Sequence, residues 1–159
     1  MKFIDRDMLH SVWDRLPPPQ RSTIVNELGA CTREMRRLPC PESTLIGAID
    51  GEPATDRRQQ AVLAGPFALE LEFNEWQLEQ LRPSITLYNR ETYAALHRTD
   101  HRIVFSHGDR GLHNVMVKDG HVAAIIDWKF SSWHPEHWDV CKSCNFLLDA
   151  EEQYLCLKG

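Results

Sequence analysis

The chain has 159 residues, 42% of them hydrophobic and 26% charged, with a net charge of −5. That length and composition fit one globular domain with a real core. The acidity and the lack of any Lys/Arg-rich run argue against a nucleic-acid partner and fit a neutral or cationic small substrate. No apolar run approaches a membrane span, and the start, Met1 to Asp7, lacks the apolar core of a signal peptide. Five cysteines (Cys31, Cys40, Cys141, Cys144 and Cys156) without a secretion signal point to reduced thiols in the cytosol.

Met1 to Ile4 reads as a short strand or an extended lead-in. Met8 to Leu16 reads as a brief helix with Leu9, Val12, Trp13 and Leu16 on one side, stopped by Pro17-Pro18-Pro19. The next helix is the clearest: Ile24, Leu28, Cys31, Met35 and Leu38 recur at alternating steps of four and three, one apolar stripe, until Pro39 and Pro41. Residues 39–68 carry Gly47, Gly51, Pro53, Gly65 and Pro66 as breakers and read as loop, with Leu45 to Ile49 as an isolated strand. Phe73 to Leu81 and Ile85 to His97 read as a pair of helices separated by Pro83.

Three short apolar runs rich in β-branched residues follow: Ile103-Val104-Phe105, Val115-Met116-Val117 and Val122 to Ile126. Each reads as a buried strand. Between and after them lie Asp109, Asn114 and Asp127, polar residues at strand ends, where a rigid scaffold commonly displays catalytic side chains. Asp119-Gly120 is a strong two-residue hairpin signal. With those two as the loop, Lys118 faces His121 and Asn114 faces Ile125. Asp127 then lies on the same face as Asn114, as a diagonal neighbour about 7–8 Å away. An amide oxygen and a carboxylate at that spacing suit Mg²⁺; a slip of one residue would put them on opposite faces. Glu136 to about Leu148 closes the chain as a helix. The order of elements predicts an α+β, mostly helical domain with a small antiparallel β element carrying the loop.

Asp109 and Asn114 stand five positions apart, the separation of the catalytic Asp and metal-binding Asn in protein-kinase catalytic loops. Asp127 stands where the kinase metal-binding Asp follows a strand hairpin. His107-Gly108-Asp109 through Asn114, then Ile125-Ile126-Asp127-Trp128, resembles the signature of the aminoglycoside phosphotransferase and choline kinase-like family. Trp133 to Asp139, Leu45 to Gly51 and Gly65-Pro66-Phe67 resemble segments of its fungal members, and Met1 to Ile4 resembles the hinge strand joining the two kinase lobes. The resemblance implies a protein-kinase-like fold and ATP- and Mg²⁺-dependent phosphoryl transfer to a hydroxyl of a small molecule. By the same resemblance Asp109 is the catalytic base, Asn114 and Asp127 are the magnesium ligands, and Phe3 and Ile4 lie beside the nucleotide.

Three positions depart from the family pattern. Arg110 replaces a Leu, Leu112 a Pro, and Lys129 a Glu. Arg110 can reach a phosphate or point to solvent. No G-x-G-x-x-G pattern occurs, and none of Lys2, Lys118, Lys129, Lys142 and Lys158 follows such a lid, so the expectation is a single domain over residues 1–159 that is the C-terminal catalytic lobe, without the nucleotide-binding lobe. The alternative is a non-catalytic fragment or interaction domain.

Two further sets stand out. His134, His137, Cys141 and Cys144 are zinc-ligand types at close spacing, although Cys141 and Cys144 one helical turn apart are ordinarily packing residues. Of five tryptophans, Trp13 and Trp76 read as core; Trp128, Trp133 and Trp138 follow Asp127 closely and fit either packing or a stacked or cationic ligand.

Overall fold

A computed structural model describes residues 6–41, 45–56, 62–80 and 86–144 of the chain. Strand β1 (Asp7–Met8) leads into helix α1 (Leu9–Val12) and a 3₁₀ turn (Trp13–Arg15). Helix α2 (Pro18–Met35) follows, then β2 (Gly47–Ala48), β3 (Ala54–Asp56) and β4 (Val62–Ala64). Helices α3 (Glu70–Glu79) and α4 (Leu87–Leu96) precede β5 (Ile103–Ser106), β6 (Val115–Lys118), β7 (His121–Ile125), β8 (Ser132–Pro135) and α5 (Trp138–Cys144). Helices and small antiparallel sheets thus make up the fold, and the three expected strands are all present. The expected lead-in strand with Phe3 and Ile4, and the chain beyond Cys144, lie outside the described residues.

Helix α2 begins as its sequence demands: Pro18 occupies the first turn, where a missing N–H costs nothing. It ends at Met35, and Leu38 closes a turn back to the Met35 carbonyl, so the stripe stops short and Leu38 is exposed. Ile24 is fully buried with Leu9, Trp13, Val115 and Val117, and Leu28 and Leu112 pack against this cluster. Burying one such aliphatic side chain contributes about 1.5–3 kcal/mol. A second cluster joins Ile46, Phe73 and Trp138, flanked by Phe67, Trp76 and Ile103. Helix α3 starts earlier than its apolar pattern suggests because Glu72 reaches back to accept the Ala68 and Leu69 N–H groups (2.8 and 3.2 Å).

Two three-stranded antiparallel sheets, in orders β1-β6-β7 and β2-β8-β5, and the β3-β4 pair are the sheets among the described residues. The breaker-rich stretch 39–68 is therefore more than loop: β2 adds to β8, and β3 pairs with β4. Strand β8 was hidden in Ser132-Trp133-His134-Pro135, whose Pro and His mask a strand that pairs residue for residue with β5, Ile103 opposite Pro135 and Ser106 opposite Ser132.

The β6–β7 hairpin corrects the expected register at the end that matters. Asp119 and Gly120 form the turn, both with positive φ (52° and 81°), and Lys118 faces His121 as expected. Between Met116 and Val117 the ladder slips by one residue, so that Met116 faces Ala124 and Val115 faces Ile125. This β-bulge sets Asn114 beside Ile126 instead of Ile125, and the Ile126 N–H bonds the Asn114 carbonyl at 2.9 Å. The diagonal relation of Asn114 and Asp127 along one strand face does not hold. Asp127 instead takes a left-handed conformation (φ 63°, ψ 57°), and this turn, in place of strand alternation, decides where its carboxylate goes.

Candidate active site

The loop 106–114 runs from the buried end of β5 to the start of β6. Ser106 and His107 are fully buried. Gly108 has φ 78°, and a Cβ there would meet the Phe130 carbonyl oxygen at 2.1 Å and its carbon at 2.8 Å. Only glycine supplies both the left-handed backbone and the close approach. This contact seats the Asp109 loop on the 3₁₀ turn Trp128–Phe130 that follows Asp127.

Two groups fix the backbone just before Asp109. The Asp139 carboxylate, at the start of α5, accepts the His107 N–H (3.1 Å) and the Gly108 N–H (2.8 Å). The His107 ring receives the Asp109 N–H at Nδ1 (3.3 Å), and its Nε2 lies 3.0 Å from the Ile126 carbonyl. A nitrogen that accepts at Nδ1 leaves Nε2 to donate, so the ring is the neutral Nε2–H tautomer. Burial pushes the His107 pKa down, opposed by its bond to Ile126 and by the Asp139 and Asp109 carboxylates. His107 thereby ties the Asp109 loop to the strand end that carries Asp127. Neither His107 nor Asp139 had a role assigned from the sequence; a carboxylate at a helix start, thirty-two residues past a histidine, carries no local signal.

Asp109 is 2% exposed and Asn114 4%. The Asn114 Nδ2–H donates to the Asp109 carbonyl at 2.7 Å, which orients the amide and leaves its oxygen as the remaining strong acceptor. His113 Nε2 lies 3.8 Å from Asp109 Oδ2, too long for a hydrogen bond. Its ring folds over Gly111, where a Cβ would meet it at 2.5 Å. Asp127 is more open, its side chain 33% exposed, and its Oδ2 lies 2.8 Å from Lys129 Nζ. Three oxygen-bearing residues, the Asp109 and Asp127 carboxylates and the Asn114 amide, are thus carried on one interlocked unit, and all three are hard donors of the type that suits Mg²⁺.

Arg110 does not point to solvent. It is buried (9% exposed) and donates to Thr32 Oγ1 on α2, while Thr32 itself bonds back to the Leu28 carbonyl. Beside it, Arg36 donates to the Glu136 carbonyl at 2.7 Å; burial and the Arg110 guanidinium push Arg36 below its usual pKa. The Leu-to-Arg departure therefore anchors the loop to α2 from beneath.

Trp133 and Trp138 are packing residues: Trp138 lies edge-on to Phe73 (centroids 4.9 Å apart) and stacks on His134 (4.8 Å). Trp128 is partly exposed, stacked on Phe105 and donating Nε1–H to the Ile125 carbonyl. His134 is thus held in an aromatic stack and Cys141 lies on the surface, which fits the packing reading of this segment better than a zinc site.

The family model described as "Phosphotransferase enzyme family" matches residues 2–157. Among curated proteins no match to the chain is found.

Proposed function

The chain belongs to the phosphotransferase enzyme family, and from that membership we propose that it is the catalytic lobe of a small-molecule kinase that transfers the γ-phosphoryl group of ATP to a hydroxyl. Asp109 is the group that accepts the hydroxyl proton as the oxygen attacks phosphorus. Asn114 and Asp127 are the residues that hold Mg²⁺, whose charge offsets that of the phosphates. Phe3 and Ile4 are the proposed nucleotide-side contacts. The acceptor is a small molecule, not a nucleic acid, and the setting is cytoplasmic; no helix among the described residues is long and apolar enough to cross a membrane.

The observation that carries this reading is the 2.7 Å bond from Asn114 Nδ2–H to the Asp109 carbonyl. It couples the proposed base to the proposed metal ligand and turns the amide oxygen into the free acceptor. Positioning of this kind is most of what phosphoryl transfer asks of a protein.

A second reading, a non-catalytic member of the family, is favoured by one contact. The Lys129 ammonium already sits on the Asp127 carboxylate, where the first reading puts a cation. Calorimetric titration with Mg·ATP separates the two. Saturable binding that is lost in Asp127→Ala supports the enzyme; no heat at millimolar nucleotide supports the non-catalytic reading.

A further inference from the structure

Away from the loop, three side chains from distant parts of the sequence meet at the back of the second core cluster. Glu70 opens α3, His101 precedes β5, and His137 lies in the turn before α5. One ligand atom from each falls within 4.8 Å of the other two. Glu70 is buried. Its Oε2 accepts the His101 N–H at 3.0 Å and its Oε1 lies 2.6 Å from His101 Nδ1, which fixes both the carboxylate and the imidazole. The two imidazole rings are in contact, with centroids 4.5 Å apart and planes tilted by 59°. His137 Nδ1 is buried and has no hydrogen-bond partner among the described residues, and leaving a buried polar atom unmet is costly.

We propose that Glu70, His101 and His137 form a binding site for a divalent transition-metal ion of the zinc type, separate from the Asn114/Asp127 pair. Two imidazole nitrogens with one carboxylate oxygen are a borderline donor set that selects Zn²⁺ over Mg²⁺. Tetrahedral zinc places its ligand atoms about 3.3 Å apart, so the widest separation, up to 4.8 Å, closes by up to about 1.5 Å, while the 2.6 Å contact between Glu70 and His101 opens as the ion replaces their hydrogen bond. The ion would tie His137 to the Glu70–His101 pair, which is already joined by hydrogen bonds. Its role is structural: Asp139, which clamps the backbone before Asp109, follows His137 by two residues. This inference does not depend on phosphotransferase activity.

The test is calorimetric titration of chelator-treated, dialysed protein with Zn²⁺ in excess Mg²⁺, which masks the Asn114/Asp127 pair. The expected result is one saturable site that raises Tm, weakened at least about tenfold in His101→Gln and in His137→Gln and unchanged in Cys141→Ser. No saturable binding, or affinity unchanged in both histidine variants, overturns the proposal. Should those variants fail to fold, Co²⁺ substitution of the unaltered protein decides: ligand-field bands without thiolate charge transfer support the site, and a thiolate band overturns it.

Discussion

Asp139 and Gly108 are joined by a 2.8 Å hydrogen bond from the Gly108 N–H to the Asp139 carboxylate, whose other oxygen holds the His107 N–H. A buried carboxylate from α5 thus shapes the loop in which Asp109 is displayed. Asp139→Asn keeps one acceptor oxygen and replaces the other by a donor that faces an N–H. The expected cost is about 1–3 kcal/mol, read from urea unfolding. Phosphotransferase turnover, where measurable, should fall with KM for the acceptor little changed.

The contact between Gly108 and Phe130 is the least tolerant point of the site. Gly108→Ala combines a left-handed backbone with a Cβ driven into a carbonyl, and should destabilise the fold by about 2 kcal/mol or more. Thermal unfolding measures it. A fully wild-type Tm would mean that the loop and the Trp128–Phe130 turn separate easily.

Lys129→Ala tests whether the ammonium competes for Asp127. The pair is half open, with side chains 58% and 33% exposed, so its worth is at most about 1 kcal/mol. Removing it should tighten Mg²⁺ binding by up to about fivefold and should have its largest effect at low salt. An unchanged Mg²⁺ affinity would separate Lys129 from the cation site.

His107 makes stability depend on pH. Its folded pKa is below the unfolded value because burial penalises the imidazolium, so in the window between the two values the unfolded chain binds more protons. Stability therefore rises with pH through that window and is lost as pH falls below about 6.5, with a slope of up to about 1.4 kcal/mol per unit. Denaturant midpoints across pH 5–8 should show this slope, and His107→Gln should flatten it.

Much of the site was legible because its signals are local. The hairpin turn is announced by Asp119-Gly120, and the apolar runs on either side of the loop are strands because β-branched residues suit them. The bulge near Met116 was not legible. Nothing in Val115 to Ile125 distinguishes a ladder that slips from one that does not, and one extra residue moves Asn114 from beside Ile125 to beside Ile126. Arg110 misled for a different reason. Its destination, Thr32, lies on α2, where a single threonine among apolar residues carries no sign of a partner so far along the chain. Strand β8 and the β3–β4 pair are short, and their partners are remote or bracketed by breakers, so pairing made them strands where local preference did not.

The contact of Gly108 with the Phe130 carbonyl also sets what this scaffold can vary. With the chain around Asp109 seated on the turn after Asp127, and the His107 ring bonded to the Ile126 carbonyl, the two acidic residues form one rigid piece. Neither can drift toward a new acceptor without carrying the other along. Under the proposed function, a change of acceptor would have to come from the surfaces that face this piece and not from the piece itself.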